Sequence, residues 1–169
     1  LDDSTHAQVL KLRHFIKNEL QPLEDEVEAK GVLDSKTAIE IFEKSRSLGF
    51  YGMNIPTEYG GGGFNAVQMV YLEQEMGQTT DPLIRRAFGN VYEVLLACNE
   101  AQQQQWLLPC VKGERTCSIA MTEPGAGSDS AGIKATAKPD GDGWILNAHK
   151  CPVGDGMFSD FYVVSARSA

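Results

Sequence analysis

The chain has 169 residues, 42% of them apolar, which is enough for one sizeable core or two small ones and excludes a disordered chain. Its 15 basic side chains against 23 acidic ones give a net charge of −8, which opposes non-specific binding to nucleic acid and to anionic membrane surfaces. No apolar run approaches the length of a membrane span, and the first residues lack the basic and apolar regions of a signal peptide, so a soluble protein is expected. Cys98, Cys110, Cys117 and Cys151 form no C-x-x-C pair and read as reduced, structural thiols of a cytosol-like compartment. Leu12, Phe15, Ile16, Leu20, Leu23 and Val27 recur at helical steps, so the first thirty or so residues predict a long amphipathic helix that Pro22 is placed to bend and Gly31 ends.

Asp34 or Ser35 then caps a second helix with Ala38, Ile41, Phe42, Ser45 and Leu48 on its buried stripe. The connector from Phe50 to Gly63 holds Pro56 and consecutive glycines from Gly60 to Gly63, but it does not match the spacing of a phosphate-binding loop. Asn65 to Gly77 predicts a third helix with Met69, Leu72 and Met76 on one side, a stripe that reads as core. Asp81-Pro82 opens a fourth, expected to carry Ile84, Ala87, Phe88, Val91, Val94, Leu95 and Cys98 on one face. A short helix follows within Glu100 to Val111.

After Glu114 the period changes to two. Candidate strands are Thr116 to Thr122, Ile133 to Lys138, Trp144 to Ala148 and Phe161 to Ala166, with Asp140-Gly141-Asp142-Gly143 as a hairpin turn. Helices first and strands after make this an α+β layout: an all-α bundle over residues 1–114, then a partial antiparallel β domain over residues 115–169. The first strand runs into Met121-Thr122-Glu123-Pro124-Gly125-Ala126-Gly127-Ser128-Asp129, where Pro124 fixes one angle and Gly125 and Gly127 permit unusual ones. Small side chains there leave amides open to a flat or anionic partner, and Thr122 and Ser128 add hydroxyls.

This nine-residue string resembles the acyl-CoA dehydrogenase flavoprotein family, in which a strand ends in Thr-Glu-Pro followed by Ala-Gly-Ser-Asp. Met53 to Gly61 and the segment from Gly89-Asn90 to Pro109 are similar to further family segments, in the same order. The resemblance implies FAD as cofactor, with Ile119, Ala120, Met121 and Thr122 giving main-chain contacts along the isoalloxazine ring, the Thr122 hydroxyl on its pyrimidine edge, and the Gly127 amide nearby. Ser128 is implied to stand where flavin and substrate meet, touching the pantetheine arm or a phosphate oxygen. The implied reaction is α,β-dehydrogenation of an acyl-CoA to a trans-2-enoyl-CoA, with electrons passing to an electron-transferring flavoprotein or to oxygen. A homotetramer, a cytoplasmic or mitochondrial-matrix location, and no nucleic-acid or membrane partner complete what is implied. Anionic CoA needs local cations, for which Arg85, Arg86, Lys134 and Lys150 are available.

The pattern departs from the family at Pro152-Val153-Gly154, where the family carries Trp-Ile-Thr. Val153 and Gly154 occupy the positions expected to reach the flavin's reacting edge, but Pro152 cannot stack as an indole and Gly154 offers an amide and no hydroxyl. One lost bond of this kind costs about 1 to 3 kcal/mol of flavin or transition-state stabilisation. The family's proton-abstracting carboxylate belongs to a C-terminal helical domain absent from this chain, so no catalytic residue is assigned, and Glu123 reads as part of the turn. His6, His14 and His149 are scattered, giving no metal site. A second reading follows from the same facts: a non-catalytic relative or fragment with impaired flavin binding, acting as an assembly or binding module.

Overall fold

In the computed structural model, which describes residues 2–89 and 91–168, the helical half begins on a cap. Asp2 accepts from the Thr5 amide at 2.8 Å and starts α1 (Asp3–Phe15), whose Val9, Leu12 and Phe15 are buried. The expected bend at Pro22 takes the form of a change in helix type. A π turn over Ile16–Leu20 and a 3-10 turn over Gln21–Leu23 lead into α2 (Glu24–Lys30), because Pro22 has no N–H to continue the α ladder. Gly31, in the left-handed region at φ 70°, closes α2 by donating to Val27 O.

Asp34 caps α3 (Ser35–Ser47), and Asn65 and Gln68 form a reciprocal capping box on α4 (Ala66–Met76). Gln68 also donates to the buried Thr5 hydroxyl at 2.8 Å, and Arg13 grips Glu75 through two bonds of 2.8 and 2.7 Å, so α1 and α4 are joined by polar contacts as well as packing. At the centre stand Phe15, Phe50 and Phe88, with ring centroids 5.8, 6.0 and 6.3 Å apart.

The fourth helix departs from expectation. α5 runs only from Asp81 to Phe88, Gly89 turns the chain at φ 58°, and Glu93–Ala97 is a 3-10 segment that leaves Val94 exposed. The physical reason is close approach: a Cβ on Gly89 would lie 2.3 Å from the Tyr51 ring, which is buried at that point. Asn90 lies outside the described residues. α6 (Glu100–Gln102), a π turn over Gln103–Leu107 and α7 (Leu108–Val111) close the unit, which spans Leu1–Glu114.

The second unit spans Arg115–Ala169. β1 (Cys117–Ala120) pairs in parallel with β4 (Phe161–Val164), while β2 (Thr136–Asp140) pairs antiparallel with β3 (Gly143–Asn147) and in parallel with β5 (Arg167–Ser168). The α+β order is as expected, but among the described strands antiparallel pairing is confined to the hairpin whose turn carries Gly141 at φ 57°. Residues 121–160 between β1 and β4 are long enough to bring the chain back in the same direction, which no strand pattern announces.

Candidate functional site

β1 ends where its ladder partners are replaced by groups from distant parts of the unit. Ala120 O still accepts from the Ser165 amide at 3.2 Å; the Met121 carbonyl then accepts from Lys150 Nζ at 2.8 Å, and the Thr122 carbonyl from the Cys151 amide at 2.9 Å. The amides of Met121 and Thr122 have no acceptor among the described residues. Beyond them Glu123 and Ala126 exchange two backbone bonds of 3.0 Å each, closing a tight turn around Pro124 and Gly125.

This corrects the reading of the glycines. The Ala126 amide is used inside the turn, and neither Gly125 nor Gly127 has φ in the left-handed region. Nothing lies within 4 Å of a Cβ built on either one, so the chain's own backbone does not demand glycine there. Their contribution is an uncrowded surface.

Glu123 is the buried anchor of the turn. Its carboxylate accepts from the Lys134 amide at 2.7 Å, the Ala135 amide at 2.9 Å and Lys150 Nζ at 2.8 Å. The hydrogen bond from the Lys150 ammonium, followed by those amides, holds its carboxyl down at about 2 against an ordinary 4.5, in spite of the opposing effect of burial. A carboxylate held so far down is a poor proton acceptor, which fits its role in the turn. Because the folded state binds the proton more weakly than the unfolded chain, this stabilisation is complete above about pH 4.5 and is lost as pH falls through about 2. Thermal melts across that window are expected to show the strand unit losing stability, and Glu123→Gln is expected to flatten that part of the profile.

Lys150 is the residue whose role the sequence concealed. Read as an available surface cation, it has a side chain that is in fact only 6% exposed and donates hydrogen bonds to Met121 O, Glu123 Oε1 and, at 3.2 Å, Ser165 Oγ. It is therefore withdrawn from the cations offered to an anionic ligand. Arg85, which is bound to Asp81 at 2.6 Å, Arg86 and Lys134 all lie exposed. Ser118 was also missed: its buried hydroxyl donates to Gly154 O at 2.7 Å and meets the Ser159 hydroxyl, fastening the segment after Lys150 against β1.

The expected site residues fall into two groups. Ile119, Ala120, Met121 and Thr122 form the strand end, and Val153 and Gly154 lie beside it through the Cys151 and Ser118 bonds. Met121 is 45% exposed, and Thr122 and Val153 are half-buried. Gly127 and Ser128 lie past the turn on exposed backbone, and no bond ties Ser128 to the first group among the described residues. The glycine run from Gly60 to Gly63 holds no free cradle: these amides donate to Thr57 O, Pro56 O, Gly52 O and Ile55 O. Among the described residues no cluster of His, Cys, Asp and Glu suits a metal, and no helix is long and apolar enough to cross a membrane.

Residues 3–114 match the family model described as acyl-CoA dehydrogenase, N-terminal domain, and residues 118–169 the one described as acyl-CoA dehydrogenase, middle domain. The chain belongs to the acyl-CoA dehydrogenase family. Among the relatives of this family member is a 3-(aryl)acrylate reductase of Clostridium sporogenes, 32% identical, covering 96% of this chain and 44% of the relative. The mitochondrial long-chain specific acyl-CoA dehydrogenase of Sus scrofa is 33% identical, covering 92% of this chain and 36% of the relative. A glutaryl-CoA dehydrogenase of Mycobacterium smegmatis, solved in complex with FADH2, superposes with a TM-score of 0.80 at 29% identity, covering 99% of this chain and 43% of that one. This member of the family thus spans less than half the length of these relatives, and the sequence resemblance at Met121 to Asp129 is borne out over both units.

Proposed function

We propose that the chain is the flavin-facing part of an FAD-dependent acyl-CoA dehydrogenase, with residues 1–114 as its N-terminal helical domain and residues 115–169 as the start of its middle β domain. The observation that supports this best is the end of β1: the carbonyls of Met121 and Thr122 are taken by Lys150 and Cys151, while their amides have no acceptor among the described residues. A ring edge that carries acceptor atoms supplies what those amides lack.

The residues fit FAD, with one reservation at the reacting edge. Ile119, Ala120, Met121 and Thr122 would hold the pyrimidine side, the Thr122 hydroxyl and the Gly127 amide adding donors, and Ser128 would lie toward the pantetheine arm. Val153 and Gly154 would serve the other side by backbone alone, since Pro152 and Gly154 bring neither an indole face nor a hydroxyl. When bound, FAD supplies the acceptor for the hydride leaving the substrate's β carbon, in a reaction that yields a trans-2-enoyl-CoA. The protein's own share is electrostatic: fixed donors facing the edge where negative charge accumulates cost no reorganisation as it grows. An acyl-CoA substrate, an electron-transferring flavoprotein or oxygen as acceptor, a homotetrameric assembly, and a cytoplasmic or mitochondrial-matrix location belong to the same proposal. No described residue is assigned the proton-abstracting base.

FAD titration into the flavin-free protein, followed by flavin fluorescence, tests the reading. Saturable binding is expected, weakened about tenfold by Thr122→Val, the cost of about one hydrogen bond. The second reading, a non-catalytic assembly or binding module, is favoured by Pro152-Val153-Gly154 alone. A full-length gene product that is colourless and takes up no added FAD would favour it, whereas a yellow one that bleaches anaerobically with an acyl-CoA would dismiss it.

A further inference from the structure

We infer that Lys150 tunes the bound flavin through the peptide bond joining Met121 to Thr122; this rests on the reading of the β1 end as a flavin site. That peptide is trans, the one cis bond among the described residues being Cys151–Pro152. In a trans peptide the C=O and the N–H of one plane point in opposite directions. The Met121 carbonyl faces the Lys150 ammonium at 2.8 Å, so the Thr122 N–H is turned away from it, and it has no acceptor among the described residues.

A cation on the carbonyl oxygen draws electron density from the whole amide plane. The N–H at the other end becomes a stronger donor, as in any chain of hydrogen bonds that polarise one another. Lys150 is suited to this because its side chain is 6% exposed, which spares its field the screening of bulk water. The Glu123 carboxylate, 2.8 Å from the same ammonium, offsets part of this field. Its charge is also shared with the amides of Lys134 and Ala135 at 2.7 and 2.9 Å, and the Met121 oxygen touches the ammonium and not the carboxylate, so a net pull on that oxygen remains. Lys150 is thus a positioning and tuning residue: it reaches the flavin only through a peptide plane, and it favours the reduced ring, which carries more negative charge at that edge than the oxidised one.

The prediction that separates tuning from mere anchoring is one of sign. Lys150→Met removes the cation and is expected to weaken binding of reduced FAD relative to oxidised FAD about tenfold, which lowers the two-electron midpoint potential by about 30 mV. Glu123→Gln keeps an acceptor for Lys150 but removes the opposing charge, and is expected to raise the potential. In the flavin-free protein, the Thr122 amide proton is expected to move upfield in Lys150→Met and downfield in Glu123→Gln. A latch without electrical effect would shift both variants in the same direction or neither, and either result overturns the inference. Should Lys150→Met fail to fold, Glu123→Gln decides alone: a raised potential supports tuning, and an unchanged or lowered one refutes it. A wild-type protein that takes up no flavin would instead overturn the flavin reading, and this inference with it.

Discussion

Phe15→Ala is expected to lower the stability of the helical unit by about 3–5 kcal/mol, measured as a shift in the midpoint of urea unfolding followed by helical circular dichroism. Phe15 is 2% exposed and its ring meets those of both Phe50 and Phe88, so truncation removes the shared member of two aromatic contacts and leaves a void between α1, the connector and α5. Neighbouring side chains are poorly placed to fill it, since Leu12 and Ile16 on the same helix and Phe50 opposite are themselves fully packed. Phe15→Leu, which retains most of the volume, is expected to recover more than half of the loss. A midpoint within error of the wild type would show that the core lies elsewhere.

Gly61→Ala is expected to cost about 3 kcal/mol in the same measurement, by forced overpacking. A Cβ at Gly61 would stand 2.1 Å from the Ile55 carbonyl oxygen and 2.6 Å from its carbonyl carbon, and Ile55 is completely buried. Backbone cannot rotate out of the way as a side chain can, so the connector must open and give up some of the bonds from Gly61, Gly62 and Gly63 to Pro56, Gly52 and Ile55. Gly125→Ala provides the contrast: with nothing within 4 Å and an ordinary φ, it is expected to change stability by less than about 0.5 kcal/mol. The two glycine groups thus serve different ends, the first folding a loop onto itself and the second leaving a surface uncrowded. Equal losses from both substitutions would contradict that division.

Much of the site's frame was readable because it is local. Asp34 and Asn65 cap the helices they precede, Gly31 ends the one it follows, and Gly141 turns the hairpin, each through bonds to residues a few positions away. The string from Met121 to Asp129 was readable for its length and order. The fourth helix was misjudged because an apolar period continues through Val91 and Leu95 as if the helix did, while the Tyr51 ring that takes the space beside Gly89 comes from a connector far back in the chain. Lys150 was misjudged for the same reason, because a lysine after a hairpin looks like a solvated charge until Glu123, Met121 and Ser165 are brought around it.

The sequence by itself determined where most helices begin and end, where the hairpin turns, and to which family the chain belongs, because capping, turn chemistry and periodicity act between near neighbours. Only the tertiary structure decided that β1 and β4 run in parallel, that Ser118 fastens the Gly154 segment, and that a buried ammonium sits behind the Met121–Thr122 peptide. Those depend on contacts between residues distant in the chain, and a buried charge becomes tolerable only once all of its partners have been assembled around it.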